Sequence, residues 1–236
     1  MSQLKFLIPF LFTLLVIDQC KCQTLLGVES GVNWTSLRSP NDLDEGTINL
    51  KSFPSYYFSF EIKGRKSKHI HLGGDLSFFQ SYLNVQATAN GEFPDIWNVN
   101  LKYETLGIAI FPELSFGKTV QFFFNLSPYF AFIIKSAEQG TREEWNAEHF
   151  NYTTRNESGS AKDDFFTFSI GFQETFGIGY MVDPWLQLSI KETGFLGILP
   201  VCYLSGSYDT KDISLLFGVS FIIPKQQAKE TVKPSN

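Results

Sequence analysis

Three groups of residues in this chain have the types that chemistry requires. His71, Asp75 and Ser77 fall at even spacing, the set from which a base-activated hydroxyl is assembled. In an extended strand His71 and Asp75 stand about 13 Å apart, at a rise of about 3.3 Å per residue. They cannot touch, so a histidine satisfied inside the fold is the expectation. Glu29, Glu61, Lys63, Asp75 and Lys191 form the second group, charges set within otherwise apolar segments. Charges of both signs in such places either line an ion path or pair as an interior plug, and the plug is the expected role. The third group comprises the acidic segments Asp42-Leu-Asp-Glu45 and Asp163-Asp164, which suit divalent cations or plain hydration; hydration is expected. No Cys/His spacing of the zinc type occurs. Catalytic, cofactor-binding and metal-ligating residues are therefore expected to be absent. The net charge of -5 comes without a basic patch, which argues against nucleic acid as a partner.

The charges sit in segments that alternate with period two. Eight such runs occur: Leu26–Trp34, Tyr56–Lys63, Ile70–Tyr82, Val99–Phe111, Thr119–Lys135, Phe166–Tyr180, Trp185–Thr193 and Ile213–Ile223. Thr119–Lys135 is the clearest, with Val120, Phe122, Phe124, Leu126 and Phe130 opposed to Gln121, Asn125, Ser127 and Tyr129. Val99–Phe111 changes phase near Glu104–Thr105, which predicts a β-bulge there. Many runs reach the 9 to 11 residues that a tilted strand needs to cross a bilayer. Aromatic residues are 16% of the chain and charged residues only 18%, a balance that favours strands with an apolar face.

The connections alternate in length. Gly64–His69, Pro112–Lys118 and Met181–Pro184 read as short turns. Residues 36–53, 83–98, 136–164 and 194–211 read as long loops, all at one end. Outer-membrane barrels have this asymmetry, with the long loops outside. The expected fold is all-β: an eight-stranded antiparallel up-and-down transmembrane β-barrel.

Three features orient the faces. Glycines (Gly27, Gly31, Gly73, Gly171, Gly177, Gly179, Gly218) collect on the polar face, as a narrow interior demands. The strand charges share that face, and phenylalanine crowds the other. Glu174 is discordant, in phase with Phe172 and Phe176. A bulge turning it inward, a protein partner, or a place near the headgroups would each account for it.

Residues 1–22 read as a cleaved signal peptide: Lys5, the apolar run Phe6–Ile17, then Cys20-Lys21-Cys22 before Gln23. An uncleaved anchor is the minor alternative. Lipidation of Cys20 or Cys22 lacks the expected small, apolar lead-in. Residues 23–223 form the barrel and 224–236 a polar periplasmic tail. Cys202 would be the one cysteine left, which leaves no disulfide framework. Of the sequons at Asn33, Asn125, Asn151 and Asn156, two fall in predicted strands.

Leu26–Ile223 resembles the PorT-like outer-membrane β-barrel family of the Bacteroidota. The residues that carry the resemblance are GVESGVNWTSL at Gly27–Leu37, YETLGIAIF at Tyr103–Phe111, NLSPYFAFII at Asn125–Ile134 and FSIGFQETFGIGY at Phe168–Tyr180. Gly218–Ile223 is similar to the signal read by barrel-insertion machinery. The resemblance implies the fold, an outer-membrane location in a Gram-negative bacterium, no defined catalytic residues and, through the family's namesake, a link to surface-protein secretion. The expected function is that of a non-enzymatic barrel in contact with outer-membrane lipid, acting through an envelope protein partner at its outer loops. The alternatives are a soluble secreted β-barrel carrier of a small apolar ligand and an outer-membrane lipid-modifying enzyme.

Overall fold

The structure, a computed structural model, describes residues 23–38, 46–89, 96–146, 149, 151–159, 168–197 and 209–223. The signal segment 1–22, the tail 224–236, both acidic segments and Cys202 lie outside these residues. Among the described residues there are ten strands: β1 Thr24–Arg38, β2 Gly46–Phe53, β3 Ser55–Arg65, β4 Ile70–Ala89, β5 Ile96–Gly117, β6 Val120–Asn146, β7 Asn151–Gly159, β8 Phe168–Asp183, β9 Leu186–Gly197 and β10 Asp209–Ile223.

Eight of them close a wall. β1 pairs with β3, β3 with β4, β4 with β5, β5 with β6, β6 with β8, β8 with β9, β9 with β10 and β10 with β1, every pair antiparallel. Closure removes both sheet edges, so the wall's backbone donors and acceptors are met within the ladder. The outer face can then be largely apolar. Phe58, Phe122, Phe176, Phe217 and Ile178 are all exposed on it, Phe217 by 59%. The glycines expected inside do face inward.

β2 and β7 extend this wall at one end. β2 pairs with β4 above β3, and β7 pairs with β6 above β8. Pro54 marks the β2–β3 join, where three residues between Phe53 and Tyr57 face two between Tyr82 and Phe79. Proline lacks the N–H a continuous ladder needs, and a bulge absorbs it. Together β2, β4, β5, β6 and β7 make a five-stranded sheet standing on one side of the barrel.

This corrects the loop assignment. Much of 83–98 and 136–164 is strand, because β4 runs to Ala89, β5 starts at Ile96 and β6 runs to Asn146. Here polarity inverts. Leu83, Val99 and Leu101 point inward at 0% exposure, while Asn84, Asn98 and Asn100 point outward and are joined by amide hydrogen bonds of 3.3 and 3.1 Å. The phase change in Val99–Phe111 has the same cause. β5 alternates without interruption; what changes is the medium outside it. A bulge does occur at Glu104/Thr105, but its extra residue is Ile134 on β6. At the other end β5 runs through Gly117, so the turn is shorter than Pro112–Lys118. Gly117 has φ 108°, and a Cβ there would lie 1.9 Å from the Val120 carbonyl oxygen.

Inside the wall, aromatic rings lie across glycines of neighbouring strands. A Cβ on Gly107 would fall 1.6 Å from Tyr129 Oη, and one on Gly177 would fall 2.0 Å from the Phe123 ring. Gly107→Val is therefore expected to displace Tyr129 and destabilise the barrel by about 1–3 kcal/mol, the usual cost of overpacking. A urea midpoint in lipid equal to that of the unaltered chain would contradict this packing.

Candidate functional site

The barrel interior is built in layers. Nearest the short-turn end is an ionic chain of alternating sign. Lys191 Nζ from β9 pairs with Glu29 Oε1 of β1 and lies 2.8 Å from Glu61 Oε2 of β3. Glu61 is also 3.1 Å from Lys63 Nζ, which lies 2.8 Å from Glu113 Oε2 of β5. Ser59 Oγ donates to Glu29 Oε2 at 3.2 Å. Both ammonium groups sit 5.2 Å from the centroid of the Phe123 ring, between them on the inner face of β6. All five charged residues are buried. Charges taken from water persist only when paired and hydrogen-bonded. Here each ammonium meets two carboxylates and a ring face.

The structure thus brings together Glu29, Glu61, Lys63 and Lys191. Asp75 stands beside them, opposite Glu61 in the β3–β4 ladder, but its Oδ1 accepts no hydrogen bond from the described protein. Glu113 and Phe123 belong to the cluster and escaped the sequence reading. Glu113 fell in a segment read as a turn. Carrying the alternation of Ala109 and Phe111 through Pro112 would have placed it inside.

An aromatic layer follows. Tyr57 stacks on Phe79 at 5.6 Å between centroids, and Tyr129 meets Phe195 at 4.5 Å. Above it, Asp212 of β10 accepts hydrogen bonds from Thr35 Oγ1, from Asn33 Nδ2 at 3.3 Å and from Ser81 Oγ at 3.5 Å, and Ser214 Oγ donates to Asn33 Oδ1 at 2.8 Å. The void between these two layers measures about 10 Å³, room for about one water.

His71 and Ser77 face inward but do not form a nucleophile. Ser77 Oγ lies 2.8 Å from Tyr129 Oη, a phenol and not a base. His71 Nδ1 lies 3.6 Å from Glu113 Oε1, beyond hydrogen-bond range, and far along the strand from Ser77. Among the described residues no group of three His, Cys, Asp or Glu side chains is arranged to hold a metal. Asn33 and Asn125 are buried inside the wall, out of reach of modification, while Asn151 and Asn156 are exposed on β7. Glu174 points outward with no bulge beside it, and so does Glu192, which the sequence reading passed over.

These features define a closed eight-stranded antiparallel barrel of the transmembrane type, largely apolar outside and holding an ionic chain and hydrogen-bonded polar groups inside. No protein-family model matches the chain, and no curated protein matches it. Among solved structures it is similar to Ail, the attachment invasion locus protein of Yersinia pestis, with 9% identity, 86% of this chain and 99% of that one covered, and a TM-score of 0.45. Neisserial surface protein A gives 12% identity, 84% and 96% coverage and 0.44. The outer membrane protein OprG from Pseudomonas aeruginosa gives 8%, 86%, 97% and 0.44.

The ionic chain predicts a strong asymmetry between single and paired substitutions. Lys191→Met leaves Glu29 without its cation and is expected to cost about 3–5 kcal/mol. Adding Glu29→Gln should recover part of that loss, since residues in one network are not additive. Urea unfolding in lipid vesicles measures both; strict additivity would show that the two side chains act independently.

Proposed function

We propose that this protein is an integral, non-enzymatic barrel of a Gram-negative outer membrane, related to the PorT-like family, that works by holding an envelope partner rather than by conducting or reacting. The observation that carries this reading is the partition of the wall. An apolar, phenylalanine-rich surface faces out round the wall, interrupted by Glu174 and Glu192, while Glu29, Glu61, Lys63, Glu113 and Lys191 pair within. That is the partition a bilayer imposes on a closed sheet. In this reading residues 1–22 export the chain and are removed. The termini and short turns face the periplasm, and the sheet formed by β2, β4, β5, β6 and β7 stands outside the cell. An accessory role in surface-protein secretion or assembly rests on the family resemblance and on that projecting sheet, which offers a large surface on rigid strands.

A carrier of a small apolar ligand needs an apolar chamber. The interior instead holds an ionic chain and a void of about 10 Å³ between its aromatic and polar layers. A lipid-modifying enzyme needs an activated group, and Ser77 is engaged with Tyr129.

Fractionation of expressing cells tests the location. Recovery in the outer membrane, with a shift in gel mobility between unheated and boiled samples, is the expected result. Recovery in the soluble periplasmic or secreted fraction without a shift would restore the carrier reading. Because the interior is filled, the pure protein should show no stable unitary conductance in planar bilayers. Reproducible single-channel steps would refute the plug.

A further inference from the structure

On the outer wall, an open groove of about 1070 Å³ runs across β5, β6, β8, β9, β10 and β1. Phe176, Ile178, Leu188, Ile190 and Phe217 line it, and Glu192 lies among them. Closed barrels are convex, so an open depression on the apolar face gives a packing partner a surface to fit. Glu192 is level with Phe176 on β8 and Leu215 on β10, in the middle of the apolar surface and not at its edge. Glu174 is similarly placed, between Phe172 and Phe176. Opposite it on β9 is Gly194, an outward position without a side chain. A Cβ there would meet Glu174 Oε1 at 3.1 Å, so the Glu174 carboxyl leans across β9 towards the position two residues from Glu192.

Neither carboxyl has an ion-pair partner among the described residues. A lone carboxylate facing hydrocarbon is unfavourable, and more so at mid-depth than near the headgroups. The barrel has an inward solution for charge and uses it for Glu29, Glu61 and Glu113. It does not use it for these two. Their position is explained if something other than lipid covers them and supplies positive charge.

We propose that this groove docks a second membrane-inserted protein that presents a lysine or arginine at mid-bilayer depth to Glu192 and Glu174. The described residues of a second copy do not supply that charge. Among the described residues its exposed cations lie at the two ends: Lys51, Lys102, Lys135, Arg155 and Lys211 at the long end, Arg65, Lys66, Lys68 and Lys118 at the short turns. The same face from another copy would add carboxylates to carboxylates. The inference rests on the membrane-embedded reading above and names the surface through which the partner is held.

The test uses the full chain in phosphatidylcholine vesicles, after the heat-dependent gel shift has been verified in those vesicles. Absence of that shift would overturn the membrane reading, and this inference with it. The probe is a synthetic membrane-spanning leucine–alanine helix carrying dansyl and one central lysine, compared with the same helix carrying a central leucine. Energy transfer from the barrel's tryptophans should be at least about fivefold greater for the lysine helix, and the difference should vanish in the E174Q/E192Q double variant. That variant should unfold at the same urea concentration as the unaltered chain or a higher one. Equal transfer to both helices, or a preference that survives in E174Q/E192Q, would overturn the proposal. So would a lower urea midpoint for the variant, since the glutamates would then serve the barrel itself. Glutamate-dependent crosslinking of the barrel to itself would assign the groove to a second copy and overturn the proposed occupant.

Discussion

Closure of the hydrogen-bonded ladder is the constraint on which the rest of this structure depends. An open sheet leaves N–H and C=O groups along two edges, and those groups demand water or another chain. The β4–β5 and β1–β10 pairings leave no such edge in the wall. Once the backbone is satisfied laterally, the outer face is free to be apolar over its whole circumference. Within the apolar part of the wall, most polar side chains then go to the narrow interior.

That confinement explains the layered filling. Eight strands enclose a space that side chains can occupy completely, and inward charges must find partners within it. The alternating order of Glu29, Lys191, Glu61, Lys63 and Glu113 is one solution. It draws residues from four strands far apart in sequence. Phe123 fits between the two lysines because Gly177 opposite it has no Cβ. Tyr129 similarly covers Gly107. Glycine and aromatic positions are thus halves of one packing decision, and the ionic chain depends on both.

The wall also shows how hydropathy reports the medium rather than the backbone. From Leu106 to Leu114 the outward residues of β5 are mostly apolar; from Asn98 to Glu104 they are polar. The strand does not slip. The outside changes from a surface suited to hydrocarbon to one suited to water, and the apolar residues go inward. Read as a pattern alone, this inversion suggested a bulge in β5 and a loop beyond it. The real bulge lies across the ladder at Ile134, which the β6 sequence does not signal.

The sequence by itself determined the alternation, the number of wall strands, the end at which the long connections gather, and which residues of β1, β3 and β9 turn inward. Period-two patterning is local, and side-chain direction follows from it without knowledge of neighbours. It also marked Glu174 as out of place on an apolar face. The tertiary structure alone decided which inward charges meet. Register and stagger bring Glu113 to Lys63 and leave Asp75 outside the ion pairs of the described residues, and neither is written in one strand's pattern. The same holds for Asp212, whose hydrogen-bond donors come from β1 and β4. Distances across a closed ladder depend on how all eight strands are sheared past one another, a property of the ring and of no single segment.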